Sequence, residues 1–268
     1  MFKILFNPQK AEKKPFEIFL LGLIFSTISI LFAAWVFPEY SSIAFVFLTT
    51  FSCLYLIQSA IKIEEEKEEN YKSEKWLLKE HSKLITLLLF LFLGFVLSFT
   101  IWSFALPAEK VSHIFEFQEL TVDGIKAAVG TGAFLDSNPY MSILINNIKV
   151  MIISFIFAFF YGAGVIYVLV WNASVMGLVI GNLAKNTLGL VALPIAFTKY
   201  FIHGIPEMLA YFITAIAGGI VYVALWKGDF KYPGKRKSII RDIAILLAIS
   251  LVILILAGLI EVYISPYI

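Results

Sequence analysis

The chain has 268 residues, of which 60% are hydrophobic and 15% charged, and its formal net charge at pH 7 is +2. A soluble domain usually carries about 25% charged and about 45–50% apolar residues, so this composition excludes a soluble globular protein and a disordered chain. The small net charge argues against a nucleic-acid partner. The sequence therefore predicts a polytopic membrane protein, with the lipid bilayer as the solvent for most of the chain.

Few side chains are available for metal, redox or catalytic chemistry. The single cysteine, Cys53, lies within an apolar run and cannot form an internal disulfide. Three histidines and one thiol make a poor set of metal ligands. The chain also lacks a phosphate loop, a dinucleotide fingerprint and a Gly-x-Ser-x-Gly motif. We therefore expect no metal, no cofactor and no enzymatic activity.

Several apolar segments have the length that a membrane-spanning helix needs, roughly 20 residues for a hydrocarbon core of about 30 Å. In chain order they are 18–37, 42–61, 84–106, 147–170, 173–200, 205–226 and 239–261. The first is longer than the apolar core of a signal peptide, about 7–15 residues, and is expected to remain as a helix. Together they predict an all-α transmembrane bundle with about seven crossings.

The distribution of lysine and arginine predicts the orientation, because cytoplasmic loops are enriched in these residues. Residues 62–83 and 227–241 are basic, as is the N-terminal tail, whereas the long connection 107–145 holds only two lysines. We expect a multi-pass protein of the plasma membrane, with a cytoplasmic N-terminus and an external C-terminus. This orientation requires segment 173–200 to cross, although its glycines and asparagines predict a broken or short helix.

Three regions follow from this division of the chain. Residues 1–61 form an N-terminal two-helix transmembrane hairpin, residues 62–83 a charged cytoplasmic hairpin, and residues 84–268 a larger transmembrane domain. The charged hairpin is either a solvated connection or a recruitment site for a soluble partner. The external segment 107–145 is partly amphipathic and is expected to lie along the membrane surface. It ends in a helix-start signal just before Pro139.

Polar side chains at membrane depth are costly and usually face the protein interior. The second half of the chain concentrates such residues in a candidate structural or functional cluster: Asn146, Asn147, Asn172, Asn182, Lys185, His203 and Glu207. Small residues at four-residue spacing accompany them: Ala158, Gly162, Gly177, Gly181, Ala210, Thr214 and Gly218. Such spacing predicts close helix packing, with a polar pathway for a solute as the alternative.

The sharpest local motif is His203-Gly204-Ile205-Pro206-Glu207. Pro206 suits the first turn of a helix, where an acidic residue is favoured by the helix dipole. A second interpretation is a buried pair of His203 with Glu207, or a pair involving Lys199, that holds two helices together. A third is a proton relay or an acid–base pair.

The order of these residues resembles the stage II sporulation protein M family of polytopic prokaryotic membrane proteins. The resemblance is carried by Asn146-Asn147, Phe155, Gly162, Gly164, Asn172, Gly177, His203-Gly204-x-Pro206-Glu207, Ala210 and Gly218. It covers about 84–268, and it departs at Ala173 and Met208, where the family often has glycine and proline. The resemblance implies an integral membrane subunit that is not itself a hydrolase. The family's namesake gathers cell-wall-degrading proteins during engulfment in spore-forming bacteria.

We therefore expect a membrane scaffold or assembly subunit. Its partners would be proteins in the membrane or on either face, and association into a homo-oligomer is a further expectation. The alternative is a transporter or channel that uses segment 173–200, with Lys185 near mid-depth, and the polar residues around His203 and Glu207. An intramembrane enzyme acting through His203 and Glu207 is the third hypothesis.

Overall fold

The structure, a computed structural model, describes residues 14–68, 74–130, 139–158, 163–187 and 189–268. The α-helices in these ranges are α1 (Pro15–Val36), α2 (Ser41–Glu68), α3 (Glu74–Ala105), α4 (Ala108–Ile114), α5 (Glu116–Gly130), α6 (Pro139–Phe157), α7 (Ala163–Asn186), α8 (Leu193–Lys227) and α9 (Pro233–Tyr263). The described residues contain no strand, and the all-α prediction is confirmed. The tip of the charged hairpin, residues 69–73, lies outside the described residues.

Seven helical segments of the described chain are long and apolar enough to cross a membrane. They are Pro15–Val36, Pro38–Ser59, Ser82–Ala105, Pro139–Phe157, Gly164–Asn186, Gly189–Lys227 and Pro233–Tyr267. The predicted number of candidate crossings is thereby confirmed by length and composition. The short helices α4 and α5 are not among these segments.

The fourth and fifth segments have different boundaries from those predicted. Helix α6 begins at Pro139, as the helix-start signal indicated, but it ends at Phe157, and α7 begins at Ala163. The predicted continuous span 147–170 is therefore wrong. A Cβ at Gly164 would overlap Phe157, so glycine allows the start of α7 to lie directly against the end of α6.

The predicted break within segment 173–200 lies between α7 and α8. A 3-10 turn, Gly189–Ala192, precedes Leu193 at the start of α8. Gly189 has φ of +64°, a left-handed conformation that glycine adopts without a Cβ clash. The predicted segment therefore contains the end of one helix and the start of the next.

Pro206 lies in the interior of α8 rather than in a first turn. The interpretation of His203-Gly204-Ile205-Pro206-Glu207 as a helix start is therefore wrong. Proline has no N–H, so the carbonyl of Ile202 loses its donor four residues later. Membrane helices tolerate such interruptions because neighbouring groups compensate for the lost backbone bond.

The helices group into two compact units. Among the described residues, the first contains those before 131 together with Ile166–Tyr200, and the second contains those from 139 to 165 and Phe201–Ile268. Within the first unit α1 packs against α2 and α3. A Cβ at Gly94 of α3 would lie 2.9 Å from the Leu23 nitrogen of α1, so these two helices meet backbone to backbone.

The second unit contains α6, most of α8, and α9. Helix α6 packs against α9, where Gly258 lies against the ring of Tyr140. Helix α6 also meets α8, since a Cβ at Gly218 would lie 2.5 Å from the Phe155 carbonyl oxygen. This three-helix arrangement positions the polar residues described next.

Candidate functional site

A polar cluster lies on one face of α8 in the second unit. His203, Glu207 and Tyr211 follow each other at four-residue spacing, which aligns their side chains along a single face of a helix. His203 is 9% exposed and Tyr211 is 1% exposed. The cluster is therefore inside the protein, where polar groups need partners.

His203 connects α8 to the C-terminal end of the described chain. Its Nδ1 atom and the Ser265 Oγ atom are hydrogen-bonded at 2.9 Å, with the donor set by the histidine tautomer. Ser265 is 4% exposed and lies in the 3-10 turn that follows α9. The bond therefore ties two elements that are 62 residues apart in sequence.

Glu207 has partners on its own helix and on α9. Tyr211 Oη donates a hydrogen bond of 2.5 Å to Glu207 Oε1. The carboxyl groups of Glu207 and Glu261 are close enough to interact electrostatically, and Tyr211 interacts with both. Because Glu207 interacts electrostatically with Glu261, while His203, one turn earlier, is bonded to Ser265, four residues later, α8 and α9 are antiparallel at this contact.

Glu261 and Ser265 are absent from the cluster predicted by sequence. A signal for Glu261 exists, because it is the only charged residue between positions 243 and 268, and a lone carboxylate in an apolar span marks a functional or packing site. Ser265 carries no such signal. Its role depends on the antiparallel register of α8 and α9.

This cluster can do two things chemically. It can hold α8 to the turn after α9 through the His203–Ser265 bond, and it brings the carboxyl groups of Glu207 and Glu261 close enough to interact electrostatically. No group of three or more His, Cys, Asp or Glu side chains suited to a metal ion occurs in the described part of the chain. The geometry thus favours helix association or the handling of a small cation or proton.

The paired asparagines lie on α6 in the same unit. Asn147 is 4% exposed and Asn146 is exposed. Asn146 Nδ2 donates a long hydrogen bond of 3.5 Å to Asn147 Oδ1. Two buried polar atoms of this unit have no hydrogen-bond partner among the described residues: Asn147 Nδ2 and Thr214 Oγ1.

The remaining predicted polar residues belong to the first unit and lie on α7. Half-buried Asn172 donates from Nδ2 to the Val168 carbonyl at 2.8 Å, within its own helix. Lys185 donates from Nζ to the carbonyl of Leu106, just past the end of α3. Lys185 lies in the last turn of α7, so its predicted position near mid-depth is wrong. Asn182 is half-buried one turn earlier.

Small residues mark the close helix contacts inside each unit. In the first, a Cβ at Gly177 would lie 2.6 Å from the Phe99 Cβ, and one at Gly181 would overlap Ser103 of α3. Ser103 Oγ also donates to the Gly177 carbonyl at 3.1 Å. In the second, Ala158 and Gly218 meet, and Ala210 and Thr214 are buried. Gly162 lies outside the described residues.

The connection between α3 and α6 contains a folded element, α4–α5, that is fixed to the first unit. Ser42 of α2 donates to Gln118 Oε1 at 2.6 Å and accepts from the Phe117 backbone N–H at 3.1 Å. The ring of Phe115 packs against Phe45 and Phe99, with centroids 5.3 and 6.4 Å away. The element therefore has a defined surface.

Comparison with known proteins identifies the family of this arrangement. Residues 18–266 match the stage II sporulation protein M family. The chain belongs to this family. The match includes the first two helices, which the resemblance over 84–268 left out. The chain is also 33% identical over 129 residues to an uncharacterised protein of Methanocaldococcus jannaschii, covering 47% of this chain and 71% of that protein. No solved structure matches.

Proposed function

We propose that this protein of the stage II sporulation protein M family is a membrane scaffold or assembly subunit without enzymatic activity of its own. The observation that carries the proposal is the fixed, non-spanning element α4–α5. A scaffold needs an ordered surface outside its spans, and the bonds from Ser42 to Gln118 and Phe117 hold this element in place.

The surface of α4–α5 suits a protein partner. Leu120 is 60% exposed and Phe117 is 38% exposed, and Glu109, Glu116 and Asp123 of the same element are also exposed. An apolar centre with a charged rim is typical of protein interfaces. The partner that fits is a membrane or extra-membrane protein with a complementary apolar patch and basic residues around it.

The polar cluster of α8 supports the same function. Its side chains bond one another: His203 to Ser265, and Tyr211 to Glu207. Apolar lipid gives little driving force for helix association, so small residues and polar contacts hold membrane helices together. We therefore assign His203 and Glu207 to the integrity of the bundle rather than to catalysis.

The test is affinity purification in mild detergent from native membranes, followed by mass spectrometry of stoichiometric partners. We expect a partner with the parent protein and its loss with Phe117→Ala/Leu120→Ala. The matched control is Ile152→Ala/Ile156→Ala, because these side chains on α6 are 51% and 50% exposed and the change likewise truncates two exposed apolar side chains. The control should retain the partner.

Two results would contradict the scaffold proposal. If neither the parent protein nor the control retains a stoichiometric partner, the protein is not an assembly subunit. If the α5 variant retains the partner fully, α4–α5 is not the surface that recruits it. Both variants must first show unchanged helical content and size in detergent.

A second candidate function is a transporter or channel, and the proximity of Glu207 and Glu261 within the spans favours it. Intramembrane carboxyl groups are common in ion and proton pathways. Ion flux into proteoliposomes that Glu207→Gln and Glu261→Gln abolish would support transport. Lys185→Met serves as the control, because Lys185 bonds to a helix-end carbonyl. Absence of flux across a broad panel of ions would exclude this candidate.

For the orientation, we propose a plasma-membrane protein with its N-terminus in the cytoplasm, supported by the basic residues of 62–83 and 227–241. This arrangement puts the C-terminus and α4–α5 on the external side. Labelling of single introduced cysteines in intact cells, in a Cys53→Ala background, measures the exposed side directly. Labelling at residue 235 but not at residue 120 would reverse the assignment.

A further inference from the structure

Residues 226–241, which comprise the end of α8, the turn after it and the start of α9, carry a dense group of basic side chains. They are Lys227, Lys231, Lys235, Arg236, Lys237 and Arg241. The only acidic residues within this range or next to it are Asp229 and Asp242. This surface, called the α8–α9 turn below, therefore has a net positive charge.

The acidic residues neutralise only part of this charge. Lys235 pairs with Asp229 at 2.6 Å, and Arg241 contacts Asp242 at 3.2 Å. Lys231, Arg236 and Lys237 are exposed and have no acidic partner among the residues that the structure describes. Three cations are left for a partner outside the chain.

Aromatic side chains flank the unpaired cations. Trp226 is 83% exposed and Tyr232 is 61% exposed, and the Lys235 Nζ atom lies 5.7 Å from the centroid of the Tyr232 ring. Exposed tryptophan and tyrosine at the ends of spanning helices are characteristic of the level of the lipid headgroups. Because α8 ends at Lys227 and α9 begins at Pro233, the cations also stand within a few residues of two spans.

We propose that the α8–α9 turn binds the headgroups of anionic phospholipids. Lipid phosphates are the anions at the depth that Trp226 and Tyr232 define, and basic residues close to an anionic bilayer surface each strengthen the interaction by about fivefold. An acidic protein would have to approach the same short turn through the headgroup layer. The inference does not depend on the scaffold function, since it concerns the lipid around the protein.

The experiment uses the exposed Trp226 as the reporter. The other tryptophans are replaced by phenylalanine, and the protein is reconstituted in vesicles that mix phosphatidylcholine with phosphatidylglycerol, one of them brominated on its acyl chains. Quenching of Trp226 gives the binding constant of phosphatidylglycerol relative to phosphatidylcholine. We expect a preference of about fivefold or more, which falls towards one in Lys231→Gln/Arg236→Gln/Lys237→Gln and in 1 M salt.

Two matched controls accompany this variant. Asp229→Asn/Lys235→Gln removes an ion pair without changing the net charge of the turn, and it should keep the preference. A protein with Trp35 as its single tryptophan reports from a site of similar exposure, 79%, in a region, residues 15–61, that has no lysine or arginine. Its preference should be close to one.

Equal preference at Trp226 and Trp35, an unchanged preference in the triple variant, or no quenching of Trp226 by either lipid would each overturn the proposal. Displacement of the lipid by millimolar inorganic phosphate would also overturn it in favour of a soluble anion. If the single-tryptophan protein does not fold, native mass spectrometry of the otherwise unaltered chain decides. Fewer phosphatidylglycerol molecules retained by the triple variant than by the parent support the proposal, and equal numbers refute it.

Discussion

The adjacent glycines of α8, Gly218 and Gly219, provide a direct test of the packing in the second unit. A Cβ at Gly218 would lie 2.5 Å from the Phe155 carbonyl oxygen and 2.6 Å from the Ala158 Cβ, whereas a Cβ at Gly219 would have nothing within 4 Å. Gly218→Ala should therefore destabilise the protein, and Gly219→Ala should not. Both changes occur in one turn of one helix, so each is the control for the other.

The size of the effect follows from these distances. Carbon atoms in good contact are about 3.5–4.0 Å apart, so α6 and α8 would have to separate by about 1 Å to accept the new methyl group. Overpacking of this kind typically costs about 1–3 kcal/mol. The gain in helix propensity from glycine to alanine, up to about 1 kcal/mol, is common to both variants. Their difference in free energy of unfolding therefore isolates the steric effect, at about 1–3 kcal/mol.

The assay is unfolding of the purified proteins in mixed micelles of mild detergent and dodecyl sulfate, followed by circular dichroism. Gly218→Ala should unfold at a lower fraction of dodecyl sulfate than the parent protein, and Gly219→Ala at the same or a higher fraction. Equal midpoints for the two variants would show that α6 and α8 do not meet at Gly218. The description of that contact would then be wrong.

Three further predictions concern single side chains. Ser42→Ala removes the hydrogen bond to Gln118 Oε1 and leaves this buried amide oxygen without its partner. Hydrogen exchange in α5 should therefore accelerate by a factor that corresponds to about 1–3 kcal/mol, and exchange at the parent rate would contradict this contact. Thr214→Val replaces a buried hydroxyl that has no described hydrogen-bond partner, so the midpoint of thermal unfolding should stay the same or rise. A lower midpoint would indicate that the hydroxyl is hydrogen-bonded. Lys185→Met removes the hydrogen bond to the Leu106 carbonyl, so the free energy of unfolding should fall by about 0.5–2 kcal/mol. The amount of co-purified partner should not change, and loss of the partner at unchanged stability would refute a structural role.

Hydropathy was sufficient to predict the class of fold and the number of candidate spans. Each apolar segment must satisfy its backbone internally in lipid, which leaves helices as the only choice for segments of this length. The start of α6 was also predictable, because the residues before Pro139 are strong capping signals. These features depend on local sequence alone.

The boundaries between α6, α7 and α8 could not be predicted in the same way. The glycines and asparagines of 173–200 indicated a break but not its position, and hydropathy did not distinguish a continuous span over 147–170 from two helix ends. The chain turns instead where glycine allows it: Gly164 lies directly against Phe157, and Gly189 adopts a positive φ. A glycine within an apolar segment has several structural meanings, and only the packing of neighbours selects one.

Pro206 misled the sequence interpretation for a related reason. In a soluble protein proline marks a first turn or a helix end, and this expectation placed His203 before a helix and Glu207 in its first turn. In α8 the proline is internal, so both side chains point from the middle of one long helix. The partners of such side chains come from another helix, and they cannot be identified from local spacing.

Two contacts of α8 show how small residues and the polar cluster each stabilise the second unit. Lipid chains are as apolar as leucine, so apolar side chains are about as stable against lipid as against another helix, and their burial contributes little to helix association. At Gly218 this stabilisation comes from the close approach of α8 to Phe155 of α6, and at His203 it comes from the bond to Ser265 after α9. The two contacts are about four turns apart along α8, at 3.6 residues per turn, and they hold it to α6 and to the turn that follows α9.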